Sequence, residues 1–153
     1  MIRLGLVSDS HGAAMNIARA AEALRGVDAL IHLGDVSADA GRFEALLRVP
    51  VHAVRGNCDV YSATAPEEMT LTVEGIRLLL THGHRLRVKQ GLLALACRAR
   101  ETGAQAALYG HTHVPSVERA GDILLLNPGA LLSGRYAVLE FREGGPTPVM
   151  KIL

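Results

Sequence analysis

Short apolar runs alternate with amphipathic segments along the first third of the chain. Three runs, at residues 2–7, 29–33 and 51–54, are rich in Val, Ile and Leu, which is typical of buried strands. The segments between them, at 13–24 and 38–47, carry apolar residues at helical spacing. In the second of these, the spacing groups three apolar residues on one face: Phe43, Leu46 and Leu47. This alternation of strand and helix predicts a parallel sheet with right-handed crossovers.

The rest of the chain follows a different pattern. Predicted strands at 69–73 and 76–81 are separated by Glu74-Gly75, which indicates an antiparallel hairpin. A helix is predicted at 92–100, and further strands at 106–109, 114–118, 123–126, 136–141 and 149–153. Repeats, low-complexity segments and linkers are absent from the sequence. We therefore expect one α/β domain over residues 1–153, with two mixed sheets face to face and helices outside.

Polar clusters stand where apolar runs end. In chain order they are Asp9-Ser10-His11, Gly34-Asp35, Gly56-Asn57-Cys58-Asp59, His82-Gly83-His84, Gly110-His111-Thr112-His113 and Asn127-Pro128-Gly129. A single cluster of this kind is usually a cap or a turn, and the last one is equally well explained as a tight turn. Because these clusters repeatedly follow predicted strands, we expect their side chains to meet at one edge of the sheet. Ligands bind there in α/β proteins, beyond the carboxyl ends of the parallel strands.

The side chains in these clusters are ligands for hard or borderline metal ions. The candidates are Asp9, His11, Asp35, Asn57, His82, His111 and His113. This set contains no thiolate, so it suits Mn, Fe, Zn or Ni better than a structural zinc site. It is too large for one ion and suits two, with Asp35 as the bridge. The pairs Asp9-x-His11 and His111-x-His113 would each point one way on an extended backbone. Two divalent ions against two carboxylates leave roughly two positive charges for a phosphate substrate.

Composition and net charge argue against several classes of binding partner. Hydrophobic residues make up 49 % of the 153 residues and the formal net charge is +1, so nucleic-acid polymers and anionic membranes are not expected partners. Aromatic residues, at 3 %, are too few for a stacking platform. The two cysteines form no CxxC pair, and neither a signal peptide nor an apolar stretch of ~20 residues is visible. We expect a cytoplasmic protein.

Taken together, five of the polar clusters resemble the signature blocks of calcineurin-like metallophosphoesterases. The short chain, the cysteine in Gly56-Asn57-Cys58-Asp59 and the later Asn127-Pro128-Gly129 resemble the small YfcE-like phosphodiesterase branch. The resemblance extends from Met1 to about Phe141. It implies a four-layer α/β/β/α sandwich of two mixed sheets, the metallo-dependent phosphatase fold, with a dinuclear site at the sheet edge. It also implies a tendency to form homo-oligomers.

The resemblance also implies how the site is divided. Asp9, His11, Asp35 and His113 would hold one divalent ion, and Asp35, Asn57, His82 and His111 the other. We expect manganese first, with nickel, zinc, iron or magnesium as alternatives. A metal-bridging hydroxide would attack the phosphorus of a small phosphodiester in line. Asn57 and His84 are the expected catalytic residues, and Cys58, Asp59 and His84 the expected substrate contacts.

One position departs from the wider superfamily. Larger relatives commonly carry a histidine where Cys58 stands, and that histidine helps to protonate the leaving group. A thiol with a pKa near ~8.5 is a weak proton donor, so we expect His84 to donate the proton instead.

Two other functions stay open: a phosphomonoesterase with the same metals, and a non-enzymatic scaffold such as the retromer subunit of this fold. The complete ligand set argues against the scaffold. Arg55, Arg85, Arg87 and Arg135 are candidate phosphate contacts, and the loops at 61–66 and 85–90 are expected to set specificity.

Overall fold

The computed structural model of the protein describes residues 1–59 and 64–153. In chain order the elements are β1 (Arg3–Val7), α1 (Ala14–Ala23), β2 (Ala29–His32), α2 (Ala40–Leu47), β3 (Val51–Ala53), β4 (Glu68–Val73), β5 (Ile76–Thr81), α3 (Leu93–Glu101), β6 (Ala106–Leu108), β7 (Ser116–Ala120), β8 (Ile123–Asn127), β9 (Arg135–Arg142) and β10 (Gly145–Ile152). Single 3₁₀ turns cover Ser37–Asp39, His84–Leu86 and Leu131–Ser133. Within the described ranges no helix is long and apolar enough to cross a membrane.

The strands form two five-stranded mixed sheets. The first has the order β10-β9-β1-β2-β3, in which β1, β2 and β3 run parallel and β9 is antiparallel to both β1 and β10. The second has the order β4-β5-β6-β8-β7, with β5, β6 and β8 parallel and an antiparallel strand at each edge. The expected mixed sheets are confirmed.

An apolar core fills the space between the sheets. The period of two along the strands divides their side chains between two faces. In β5, for example, Leu78 and Leu80 face the other sheet, whereas Leu79 packs with α3. The helices α1 and α2 cover the outer face of the first sheet through residues such as Ile17 and Phe43. The central strands β1, β2, β6 and β8 are buried on both faces and are therefore mostly apolar, whereas the edge strands β4, β7 and β10 are partly exposed. The α/β/β/α sandwich is confirmed.

Several element boundaries differ from the sequence prediction. The strand expected at 114–118 lies at Ser116–Ala120, and β10 begins at Gly145, not at residue 149. This longer β10 contains Pro146 and Pro148, which an edge strand tolerates because half of its N–H groups need no partner. Helix α2 buries Phe43 but leaves Leu46 54 % exposed, so the predicted three-residue face was wrong for Leu46. Both cysteines, Cys58 and Cys97, are exposed free thiols.

Candidate metal centre

The loops that follow four parallel strands meet at one edge of the sandwich. Asp9 follows β1 and Asp35 follows β2 in the first sheet, while His82 follows β5 and His111 follows β6 in the second. Across the two sheets, His82 Nε2 lies 3.3 Å from Asp35 Oδ2 and 3.8 Å from Asp9 Oδ1. Packing of one sheet on the other therefore brings together residues that are far apart in the sequence.

Three groups of three side chains place their ligand atoms within 4.8 Å of one another: Asp9, His11 and His113 in the first, Asp35, His82 and His111 in the second, and His11, Asp35 and Cys58 in a third that overlaps both. The groups are adjacent, since Asp35 Oδ2 also lies 3.9 Å from His11 Nε2. In the first group, His113 Nε2 is 3.1 Å from Asp9 Oδ1. In the second, Asn57 Oδ1 is 3.1 Å from His82 Nε2. All seven side chains that the sequence suggested as ligands thus lie in one cluster.

The backbone at the ligand residues is not extended. The prediction that the side chains of an i, i+2 pair point one way is confirmed for Asp9 and His11, which share a ligand group, and was wrong for His111 and His113. The φ angles are +52° at Asp9, +46° at His11, +71° at His111 and +62° at His113. Left-handed backbone is uncommon for residues other than glycine and costs energy that the surrounding packing must offset. Asp9 and His11 have this backbone and still meet in one ligand group, so left-handed backbone alone does not separate His111 from His113.

Hydrogen bonds to the protein orient the buried ligands. His82 donates its Nδ1–H to the carbonyl oxygen of Leu33 at 2.7 Å, which leaves Nε2 facing the carboxylates. Asp9 Oδ2 accepts the hydroxyl of Ser8 at 2.5 Å and the N–H of His111 at 3.1 Å. Such contacts fix which atom of each ligand is available to a metal ion.

Two buried atoms at the centre have no hydrogen-bond partner among the described residues: Asp9 Oδ1 and His11 Nε2. They lie 3.9 Å apart. A buried polar atom without a partner is costly, and a cation between these two would satisfy both. The donors around them are carboxylate, imidazole and amide groups, with the Cys58 thiol close to His11 and Asp35, and all of these are ligands of divalent metal ions. The residues present therefore fit the metal ions of the family that the sequence resembles.

Ionisation at the centre reflects the two carboxylates. Burial opposes the ionisation of Asp35, but hydrogen bonds from His82 and Cys58 outweigh it and hold the pKa of Asp35 well below its usual range. Burial likewise disfavours the charged form of His82, yet Asp35 and Asp9 raise the pKa of this imidazole. The raised pKa of His82 reflects the negative charge of Asp35 and Asp9, which a divalent metal ion would also balance.

Asp59 binds the loop backbone that carries two of the ligands. Its carboxylate is 4 % exposed and accepts three backbone N–H groups, from Asp35 at 3.1 Å, from Ser37 at 2.8 Å and from Gly56 at 2.8 Å. These contacts join the loop after β2 to the loop after β3, just before Asn57. Asp59 therefore has a structural role in these loops. The substrate contact that the sequence predicted for Asp59 stays a prediction.

A buried network behind the centre involves two residues that sequence reasoning missed, Ser10 and Asp39. Ser10 donates its hydroxyl to Asp39 Oδ2 at 2.6 Å and lies 2.8 Å from His32 Nε2. His32 Nδ1 accepts the N–H of Gly34 at 3.2 Å, so the network joins the loops after β1 and β2. Burial lowers the pKa of His32 to about 4 and keeps it neutral. The sequence offered no signal for Asp39, which falls at the start of a predicted amphipathic helix.

Asn127 supports the loop of His111 and His113 on the other sheet. Its side-chain amide donates to the carbonyl oxygen of Gly110 at 3.1 Å and to the Thr112 hydroxyl at 3.0 Å. Its Oδ1 atom accepts the N–H of Gly129 at 2.8 Å, which closes the turn that the sequence suggested. The turn and the support of the histidine loop are thus one structure.

The predicted substrate residues lie at the mouth of the centre. His84 is half-buried, with its ring centroid 5.5 Å from that of His82, and its Nδ1 has no partner among the described residues. Burial and the neighbouring His82 lower the pKa of His84. Asn57 and Cys58 are exposed, and the N–H of Cys58 donates to Asp35 Oδ1 at 2.9 Å. Partial burial and the Asp35 charge raise the pKa of the Cys58 thiol.

Comparison with known proteins identifies the family. A family model described as the calcineurin-like phosphoesterase superfamily domain matches residues 2–143. The chain belongs to this superfamily. The resemblance carried by the five polar clusters is confirmed, and this member is a metal-dependent phosphoester hydrolase.

Relatives of this phosphoesterase match over most of their length. The probable metallophosphoesterase YsnB of Bacillus subtilis is 36 % identical, over 93 % of this chain and 86 % of its own. The phosphodiesterase YfcE of Escherichia coli is 36 % identical, over 86 % and 80 %. A crystal structure of a predicted phosphoesterase from Streptococcus pneumoniae superimposes with a TM-score of 0.76 at 28 % identity, covering 98 % of both chains.

Proposed function

We propose that this protein is a dinuclear-metal phosphodiesterase that hydrolyses a small phosphodiester. The observation that carries the proposal is the position of Asp35 between the two ligand groups. Its Oδ2 atom lies 3.9 Å from His11 Nε2 in one direction and 3.3 Å from His82 Nε2 in the other. One buried carboxylate within reach of both groups is what a pair of bridged ions requires. The name of the E. coli relative, a phosphodiesterase, supports the diester specificity.

In this proposal one ion would be held by Asp9, His11, Asp35 and His113, and the other by Asp35, Asn57, His82 and His111. Manganese is our first choice, with nickel, zinc, iron or magnesium as alternatives. When bound, such ions lower the pKa of a coordinated water and neutralise charge on the phosphoryl oxygens. The low pKa of Asp35 supports an ionised bridge at neutral pH.

The chain's own residues would orient the diester at the mouth of the centre. Asn57 lies beside His82 and would fix one phosphoryl oxygen next to the second ion. His84, whose buried Nδ1 has no partner among the described residues, would contact the leaving-group oxygen. The Cys58 thiol, with its raised pKa, would contact substrate in its neutral form. Hydrolysis would proceed by in-line displacement at phosphorus.

The test compares hydrolysis of bis(p-nitrophenyl) phosphate with that of p-nitrophenyl phosphate. Metal-free protein is titrated with Mn²⁺, Ni²⁺, Zn²⁺, Fe²⁺ or Mg²⁺, and bound ions are counted by mass spectrometry of the dialysed protein. We expect two ions per chain, faster turnover of the diester, and loss of turnover in Asp35→Asn. Faster turnover of the monoester would indicate a phosphomonoesterase instead. Two bound ions without turnover of either ester would favour a binding scaffold. A cytoplasmic location and a homo-oligomeric state stay predictions from the sequence.

A further inference from the structure

A cavity of ≈ 240 Å³ opens next to the proposed metal centre. It is lined by Arg55, Gly56, Asn57, Asp59, Glu67, His84 and Arg85. Asn57 and His84 also border the metal centre, so a group attached to a phosphate at the centre would enter this cavity. Its volume is below the ~300–1,000 Å³ of sites for drug-sized ligands, and a short substituent would fill it.

Two arginines in the cavity share a single carboxylate oxygen. Arg55 Nη2 lies 3.0 Å from Glu67 Oε1, and Arg85 Nη2 lies 2.8 Å from the same atom. In the part of the chain that the structure describes, neither arginine pairs with a second acidic side chain. Asp59 also lines the cavity, but its oxygens accept backbone N–H groups, so the two guanidinium groups share only the carboxylate of Glu67.

The three side chains differ in their exposure. Arg55 is 35 % exposed and Glu67 33 %, whereas Arg85 is 72 % exposed and stands at the rim. Exposed ion pairs add little to the stability of a protein, so folding alone gives little reason for this arrangement. A guanidinium group has five N–H donors in a fixed plane, and one bond to Glu67 leaves donors for a ligand.

We infer that this cavity is a binding subsite for a second anionic group, a carboxylate or a phosphate, carried on one substituent of the diester. Arg55 and Arg85 bind the anion, and Glu67 is a positioning residue that holds both guanidinium groups. The inference rests on the proposed phosphodiesterase function and names its substrate class: short diesters with an additional negative charge. Charge-assisted bonds from arginine to such anions are strong and frequently bidentate.

The test uses two probes that differ only at the end of one chain, which is a methyl group in one and a carboxylate in the other. p-Nitrophenyl butyl phosphate and p-nitrophenyl 3-carboxypropyl phosphate have the same leaving group and chain length. We expect kcat/KM of the Mn²⁺-loaded enzyme to favour the carboxylated probe by about tenfold or more. Arg55→Ala and Arg85→Ala should each bring this ratio towards one. Arg142→Ala is the matched control, because Arg142 pairs with Glu140 on the surface away from the cavity.

Glu67→Gln separates positioning from net charge. Removal of a negative charge would by itself strengthen anion binding, whereas loss of the shared carboxylate should loosen both arginines. We expect the ratio to fall; a higher ratio would overturn the positioning role. Equal kcat/KM for the two probes, or a ratio that both arginine variants leave unchanged, would overturn the subsite.

Failure of the proposed function has a different signature. If neither diester is hydrolysed, the phosphodiesterase proposal fails, and calorimetry with the two monoester products still tests the subsite. The metal-loaded protein should bind 3-carboxypropyl phosphate about tenfold more tightly than butyl phosphate, and Arg55→Ala should remove the difference. Equal affinities would overturn the subsite independently of catalysis.

Discussion

His82 is bound by the backbone of the opposite sheet: its Nδ1–H donates to the carbonyl oxygen of Leu33 at 2.7 Å. Leu33 lies two residues before Asp35, so the bond links the second sheet to the loop that carries the proposed bridge. It also fixes the imidazole so that Nε2 faces Asp35 and Asp9. Hydrogen bonds of this kind hold a ligand side chain in one orientation, which a metal site between two sheets requires.

His82→Ala should therefore remove one of two bound ions. We expect metal content to fall from two ions per chain to one and diester turnover to fall by a factor of at least ~100, the upper end of the effect of losing a partner of a ligand. His52→Ala is the matched control, since His52 is a histidine of β3 outside the ligand cluster. Metal analysis after dialysis and kcat measurements check this, and unchanged metal content in His82→Ala would contradict it.

Asp59→Ala should destabilise the fold, because it leaves three backbone N–H groups near the centre without their acceptor. Each buried donor without a partner costs about 1–3 kcal/mol, so we expect a loss of about 3 kcal/mol or more in the free energy of unfolding. Asp28→Ala removes an exposed carboxylate that accepts one backbone N–H, from Arg3, and should cost about 1 kcal/mol or less. Urea denaturation of the metal-free proteins measures both. If both variants lost the same free energy of unfolding, the Asp59 contacts would stabilise the fold no more than the single exposed contact of Asp28.

Gly110→Ala should disturb the loop that carries two ligand histidines. A Cβ atom there would lie 2.0 Å from Ser8 Oγ and 2.9 Å from Asp9 Oδ2, so the hydroxyl and the carboxylate must move. We expect a loss of about 1–3 kcal/mol in stability together with weaker metal binding. In the control Gly41→Ala, helix α2 offers open space, and stability should rise by about 0.4–1 kcal/mol. Thermal unfolding and metal titration check both variants, and normal metal affinity in Gly110→Ala would contradict the prediction.

His32 should make the stability of the protein depend on pH. Its pKa is about 4 in the folded protein and near 6.5 in an unfolded chain, so between these values the unfolded state binds more protons. Stability contributed by neutral His32 is complete above pH 6.5 and is lost as the pH falls towards 4. The loss should reach about 2 kcal/mol at pH 5.

The measurement is urea denaturation of metal-free protein at pH 7.5 and pH 5. In His32→Gln, whose amide does not titrate, the drop in stability between these pH values should be smaller by about 2 kcal/mol than in the wild type. His52→Gln serves as the control for a histidine on the neighbouring strand. Identical drops in the wild type and His32→Gln would show that His32 is not the group responsible.

The order of strands and helices could be predicted from the sequence because it depends on the local spacing of apolar residues. Buried strands are continuous apolar runs, and α1 and α2 show helical spacing of apolar residues. Boundaries differed from the prediction at the sheet edges, because the prolines of β10 are compatible with a strand only where one side of that strand is free. The exposure of Leu46 likewise depends on which turn of α2 meets the sheet, which no local pattern records.

The sequence by itself determined the inventory of the site: two carboxylates, an amide and four imidazoles, each behind a strand. The family resemblance implied how they divide between two ions, and the tertiary structure supplied the distances that bring them together. His111 and His113 belong to different groups, and the His111 N–H donates to Asp9 on the opposite sheet. The supporting roles of Asp39 and Asp59 were not visible in the sequence, since each depends on backbone N–H groups from a distant loop. Residue types are local information, whereas these contacts exist only once the strands have aligned in the sheets and the two sheets have packed together.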